Sequence, residues 1–158
     1  MINDNFDYAE LIKQLEDHKK STRFKRLLET YTSKATCSHE NGSGKVSLTL
    51  QIEDDKIIDA GLEIEGCYIE TTDTRMIDAG FKVEGASMLY AQSSLYLESA
   101  FNATLSETFI LASNLLKQIK DDTSSESQNS MLFLTAYKEC VEAYYEHDTN
   151  ERESVLSF

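Results

Sequence analysis

The middle of the chain alternates between apolar and polar residues, the pattern of half-buried strands. Apolar residues occupy every second position over 44–53, and the same alternation returns over 57–71 and 75–85. The pair Asp54 and Asp55 stands where a tight hairpin turn is needed between the first two segments. This pattern predicts a three-stranded antiparallel sheet with one apolar face.

Helical spacing of apolar residues is found on both sides of this predicted sheet. It covers residues 6–31 and begins again after Gly85, where the period changes from two residues to 3.6. Thr104 and Glu107 form the capping box of a further helix, and a last helix is predicted over 130–146. Since one apolar sheet face has to be covered, the predicted fold class is α+β, with helices on one face of the sheet.

The length of 158 residues fits one domain with a buried core. We expect a single domain over 1–147 and a flexible acidic tail over 148–158. Two polar segments, 36–45 and 121–129, are predicted to be a loop and a linker.

The charge balance limits the kinds of partner. Fifteen Lys and Arg residues against 28 Asp and Glu residues give a net charge of −13, which disfavours nucleic acid and anionic membranes. A basic protein surface would instead be attracted. The sequence has no apolar run of about 20 residues and begins with acidic residues rather than a signal peptide, so a cytoplasmic location is expected.

Three cysteines, Cys37, Cys67 and Cys140, form an odd set without CxxC spacing, so reduced thiols are expected. Cys37 and His39 lie in the predicted loop, and Cys37 and Cys67, with Cys140 or His39, make a candidate set of soft-metal ligands. The competing interpretation is a solvated loop and buried structural thiols.

Signatures of catalysis are absent from the sequence. It contains no GxSxG, GxxxxGK or HExxH motif, and its acidic residues are scattered over predicted solvent-facing positions. A protein that is not an enzyme is therefore expected.

The order of the predicted elements resembles the NifU N-terminal and IscU family of iron–sulfur cluster scaffolds, with an IscU/SufE-like fold. The segment LEDHKKSTRF resembles a degenerate form of the family's Asp-His and Asn-Pro-Arg-Asn motifs, in which Asp17, His18 and Arg23 are kept. The phrases IIDAGLEIEG and MIDAGFKVEG resemble the family strand that ends in Gly-Cys, and ASMLYAQSSLYLESAFNATLSE resembles the helix that follows it. The resemblance covers roughly residues 10–147.

The resemblance implies a site of three cysteines, which two alignments place differently. If FKVEGA is the strand-to-helix corner, the three positions fall on Ala60, Ala86 and Ser130, and no thiol remains. If LEIEGC is the corner, Cys67 is retained and 43–45 replaces the family's Cys-Gly-Asp, but an insertion must precede the helix. We prefer the first alignment because its helix needs no gap.

The resemblance implies a scaffold-like protein of iron–sulfur cluster assembly with weakened or absent cluster binding, because methyl and hydroxymethyl groups cannot replace thiolates on iron. It implies no resident cofactor, the alternatives being an iron–sulfur cluster or zinc. The expected partner is a protein, such as a cysteine desulfurase or assembly factor, or a second copy of the chain. Other open hypotheses are a metal or sulfur carrier using Cys37 and Cys67, and an interaction module unrelated to metals.

Overall fold

A four-stranded mixed sheet forms the centre of the protein, whose structure is a computed structural model that describes residues 8–67, 81–146 and 151–157. The strands are β1 (Ser33–His39), β2 (Gly44–Glu53), β3 (Lys56–Gly66) and β4 (Glu151–Leu156). Their order in the sheet is β3-β2-β1-β4. The first three strands pair antiparallel, and β4 lies parallel to β1.

The described residues include four helices beside the sheet: α1 (Tyr8–Lys20), α2 (Phe81–Ala100), α3 (Leu105–Ile119) and α4 (Ser125–Glu146). Helix α4 packs on β1 and β2, while α2 contacts β3 and α1. The core between α4 and the sheet contains Leu48, Leu50, Leu132 and Tyr137, all fully buried. Among the described residues, no helix is long and apolar enough to cross a membrane.

The predicted α+β class is confirmed, but the prediction of a purely antiparallel three-stranded sheet is wrong. The strand predicted over 44–53 is β2. The one predicted over 57–71 corresponds to β3, which ends at Gly66, while residues 68–71 lie outside the described residues. Of the strand predicted over 75–85, residues 75–80 lie outside the described residues, and the remainder begins α2. Only residues 81–85 of this predicted strand are described. An alternation over five residues is too short to distinguish a strand from the first turn of a long helix.

Strand β1 occupies much of the segment 36–45 that was predicted to be a loop. Its alternate residues Ser33, Ala35, Cys37 and His39 are all buried. The buried face of β1 carries small and polar side chains. The alternation of apolar and polar residues that marks a strand is therefore not visible in the sequence, because it depends on large apolar residues.

Strand β4 contradicts the prediction of a flexible tail over 148–158. Glu151–Leu156 pairs in register with β1, and the Tyr31 hydroxyl donates a 2.5 Å hydrogen bond to Glu151. Arg152 forms a 2.8 Å ion pair with Glu146 at the end of α4. The partner strand is more than one hundred residues away in the sequence, so no local pattern could reveal this pairing.

The predicted turn and capping box are both present. Asp54 and Asp55 have φ angles of 52° and 59°, which a two-residue hairpin turn of type I′ requires. A register shift next to this turn points Ile57 into the core and leaves Ile58 50% exposed, although strict alternation with the buried Ala60 and Leu62 would bury Ile58 instead. At the start of α3, the Thr104 hydroxyl accepts a 3.1 Å hydrogen bond from the Glu107 amide.

Candidate functional site

The turn that ends β3 has an uncommon backbone conformation at two successive residues. Gly66 and Cys67 have φ angles of 68° and 63°. Glycine adopts this left-handed region freely, but a residue with a Cβ atom is strained there by about 1–3 kcal/mol. The Cys67 amide donates a 3.0 Å hydrogen bond to the Ser43 carbonyl, which fixes the turn against the start of β2. Strain of this kind motivates a functional hypothesis for Cys67.

The space beside Gly44 brings the Cys67 thiol close to the His39 imidazole. A Cβ atom on Gly44 would lie 2.8 Å from Cys67 Sγ and 3.0 Å from His39 Cδ2. The Cys67 thiol also lies 3.6 Å from the Glu65 carbonyl, to which it donates a weak hydrogen bond. Glycine at position 44 therefore provides the room in which the sulfur is buried.

Asn129, near the start of α4, links both of these residues. Its Nδ2 donates a 3.0 Å hydrogen bond to the Cys67 carbonyl, and its Oδ1 lies 3.3 Å from His39 Nε2. Since a carbonyl can only accept, Nδ2 must face Cys67, and Oδ1 is left to accept from His39. The histidine consequently carries a proton on Nε2. All three residues are buried.

Burial controls the acidity of the thiol at this site. It raises the pKa of Cys67 to about 11, against a smaller opposite effect of a hydrogen bond from the Lys45 backbone. Cys67 is therefore protonated at neutral pH. A protonated thiol is a poor nucleophile and a poor metal ligand until its surroundings open.

The other two cysteines lie in the core. Cys37 faces α4 from β1, opposite Val46, and burial raises its pKa to about 11. Cys140 on α4 is fully buried with its sulfur 3.5 Å from the Leu48 carbonyl, and burial raises its pKa to about 12. Cys37 lies on β1, whereas Cys67 follows β3 on the other side of β2, so two strand spacings of about 10 Å in total separate them and the structure does not bring them together.

The positions implied by the two alignments lie on different elements. Ala60 is buried within β3, and Ala86 follows Gly85 inside α2. The strand-to-helix corner that the preferred alignment assumed at Gly85 is not present, because Phe81–Ala100 is one helix. The segment LEIEGC ends in a turn after β3, next to Ser43 and Gly44, and the choice between the two alignments stays a prediction.

The residues present do not fit a three-thiolate cluster site. Cys67 is the one thiol at this end of the sheet among the described residues. The Ser43 carbonyl accepts a hydrogen bond from the Cys67 amide, and Ser130 directly follows Asn129. Within the described ranges no group of three or more His, Cys, Asp or Glu side chains could hold a metal ion. Serine hydroxyls do not replace thiolates on iron.

A serine, a histidine and a carboxylate also meet between α1 and α2. His18 Nδ1 lies 2.6 Å from Ser94 Oγ, and His18 Nε2 lies 3.4 Å from Glu98 Oε2. The arrangement resembles a hydrolase triad, but Ser94 is completely buried, so no substrate carbonyl can reach its hydroxyl. We interpret this cluster as a structural contact that stabilises the packing of α1 against α2.

Asn129 was not identified as a site residue from the sequence, and Gly44 was considered only in the second alignment, within 43–45. Asn129 was assigned to the polar linker 121–129, whereas α4 already begins at Ser125. A signal was available, because Asn129 precedes Phe133 by four residues and so shares the buried face of the helix.

Solved structures of similar shape identify the fold. The chain is similar to a nitrogen-fixing NifU-like protein (N-terminal) from Brucella abortus, with 16% identity over 85% of this chain and 93% of that chain, at a TM-score of 0.56. It is equally similar to a hypothetical protein, with 16% identity over 85% of this chain and 98% of that chain, at a TM-score of 0.57. No protein-family model and no curated protein sequence matches the chain. The protein therefore has the fold of a NifU-like N-terminal domain, as the sequence resemblance predicted.

Proposed function

We propose that this protein is a scaffold-like relative of the iron–sulfur cluster assembly proteins, which binds an assembly partner but does not build a cluster alone. The observation that carries the proposal is the arrangement around Cys67. Its backbone is hydrogen-bonded to Ser43 on one side and to Asn129, the neighbour of Ser130, on the other. In this proposal Cys67 is the one retained ligand position, and Ser43 and Ser130 take the places of the other two.

The chemistry of this donor set favours a role other than cluster assembly. A cluster scaffold needs several thiolates, whereas this site offers one buried thiol whose pKa is raised to about 11. The neighbouring His39 is already engaged with Asn129. The cluster would be cargo for such a protein, and the site holds too few soft ligands to retain it.

A groove between α3 and α4 supports the protein-binding half of the proposal. Ile110 and Tyr145 are 56% and 48% exposed there, and Glu142 and Glu146 line the same groove. Exposed apolar side chains with an acidic rim suit a partner surface that is apolar at its centre and basic at its edge. A cysteine desulfurase or another assembly factor with such a surface is the partner that we propose.

Anaerobic reconstitution with iron(II) and sulfide tests the cluster half. We expect the wild-type chain to remain colourless and iron-free under conditions that load a NifU N-terminal domain. The double variant Ser43→Cys with Ser130→Cys should restore cluster absorbance and bound iron, because it returns thiols to both sides of Cys67. A matched control places two cysteines on exposed positions elsewhere, Ser99→Cys with Ser106→Cys.

Each outcome of this experiment bears on the proposal. Stable cluster on the wild-type chain would contradict it. Failure of the double variant, while it remains folded by circular dichroism, would show that the two serines do not stand at ligand positions. Equal loading of the control variant would show that iron binding to added thiols is non-specific.

Titration with a purified cysteine desulfurase tests the partner half. We expect saturable binding that weakens at high salt and is lost with Tyr145→Asp, because the charge enters the groove. Ile12→Asp is the control, since Ile12 is 58% exposed on α1 and belongs to another surface. The absence of binding by the wild-type chain would refute the choice of partner.

A further inference from the structure

Helices α2, α3 and α4 enclose a partly open cavity of about 350 Å³. It lies apart from the groove that contains Tyr145. Most of its wall is apolar, with contributions from each of the three helices: Leu89, Tyr96, Leu115, Ile119, Phe133 and Leu134. A volume of this size lies at the lower end of the range found for small-molecule sites.

One polar group in the cavity wall has no partner within the described part of the chain. Ser93 is 1% exposed, and its hydroxyl makes no hydrogen bond to any group of the described residues. A buried hydroxyl without a partner destabilises the folded state, so most such groups in proteins are satisfied by protein, water or a ligand. Because Ser93 is one of the residues that line the cavity, a small displacement of the neighbouring side chains would let a molecule inside the cavity satisfy this hydroxyl.

The mouth of the cavity determines which charge a ligand can carry. Glu126 on α4 lines it and is exposed, and the chain as a whole has a net charge of −13. Gln92 and Ser130 add neutral polar groups, joined by a long 3.5 Å hydrogen bond. A carboxylate or phosphate would be repelled here, whereas a neutral or cationic group would not.

We propose that this cavity binds a small amphiphile, with an apolar body of about ten non-hydrogen atoms and a neutral or cationic head that hydrogen-bonds to Ser93. The apolar wall would contact the body of the ligand, and the Ser93 hydroxyl would form a hydrogen bond with its head. The acidic mouth excludes anionic analogues. The proposal uses neither Cys67 nor His39 and its test involves no cluster, although Ser130 lies in both sites.

Titrations of the full chain with 1-octanol, octylamine and octanoate test this site, followed by two-dimensional NMR. Octanol and octylamine should bind saturably and shift resonances of residues in the cavity wall, while octanoate should bind about tenfold more weakly or worse. Ser93→Ala should weaken octanol binding about fivefold through loss of the hydrogen bond. Ile119→Trp, which fills the cavity, should weaken it more than tenfold.

The control variant is Ile110→Trp, which places the same side chain on an exposed position outside the cavity and should leave octanol binding unchanged. Non-saturable shifts spread over the surface would overturn the proposal. So would octanoate binding as tightly as octanol, or an Ile119→Trp variant that is folded and still binds. Unchanged octanol affinity in Ser93→Ala would overturn the assignment of the head group.

Discussion

The side-chain amide of Asn129 donates a 3.0 Å hydrogen bond to the backbone carbonyl of Cys67. The other end of the same amide accepts from His39, so one side chain of α4 joins the end of β3 to the end of β1. All three residues are buried. The position of the thiol is therefore set by a helix that is distant in the sequence, and release of this link is the most direct way to expose it.

Replacement of Asn129 by Leu should expose the Cys67 thiol. The change removes one hydrogen bond from a buried carbonyl and one from a buried imidazole, which should lower the free energy of unfolding by about 1–3 kcal/mol. If the same amount favours local opening of the turn, alkylation of Cys67 should accelerate by about tenfold or more. Iodoacetamide labelling resolved by mass spectrometry measures each cysteine separately, and Cys37 and Cys140 serve as internal references.

The neighbouring change Gln128→Leu is the matched control, since it alters the same turn of α4 without touching Cys67. It should leave the labelling rate of Cys67 within about twofold of wild type. Equal acceleration of all three cysteines in Asn129→Leu would indicate global unfolding rather than release of the turn. An unchanged rate at Cys67 would show that Asn129 does not restrain the thiol.

Addition of a single methyl group at Gly44 should disrupt the same site. The Cβ atom of Gly44→Ala would lie 2.8 Å from Cys67 Sγ, so sulfur or backbone must move. Overpacking of this kind costs about 1–3 kcal/mol, measured as a loss of unfolding free energy in urea. Cys67→Ala removes the sulfur, so the double variant should lose less than the sum of the two single changes. Additive losses would contradict a direct contact.

The parts of the fold that the sequence predicted are those encoded by neighbouring residues. Strand β2 follows from uninterrupted alternation over 44–53, and the hairpin follows from two Asp residues that tolerate positive φ. The start of α3 follows from the Thr104 and Glu107 pair. Each of these signals is complete within about ten residues.

The parts that the sequence did not predict depend on distant contacts. Strand β4 exists because β1 offers it a free edge, and β1 itself is concealed by small polar residues on its buried face. The site was only partly predicted. Cys67 was named as a candidate and stays a prediction, whereas its neighbours Gly44 and Asn129 are brought to it by the sheet register and by the packing of α4.

The stability of the protein should fall at alkaline pH because of its buried thiols. Burial raises the pKa of Cys140 from 9.0 to about 12, so the folded state holds this proton more tightly than the unfolded chain. The contribution of this thiol to the free energy of unfolding is fully present below pH 9 and is lost as the pH rises towards 12. Cys37 and Cys67 contribute with the same sign. Urea unfolding at a series of pH values measures the slope.

Cys140→Ser provides the control for this pH dependence, because serine has similar size and does not titrate. The variant should lose free energy of unfolding at neutral pH but show a shallower decline above pH 9, the ordinary pKa of the thiol. A decline identical to that of wild type would assign the alkaline loss to other groups, such as Tyr137, whose pKa burial raises to about 12.

Removal of residues 151–158 should uncover the outer edge of β1 and the thiol beneath it. Ser154 lies directly opposite Cys37 in the parallel register, so without β4 the labelling rate of Cys37 should rise while that of Cys140 does not. The free edge should also promote self-association, measured by analytical ultracentrifugation. Val155→Ser, at a position 63% exposed, is the control and should change neither property. A monomeric truncated protein whose Cys37 stays unreactive would show that β4 does not protect this edge.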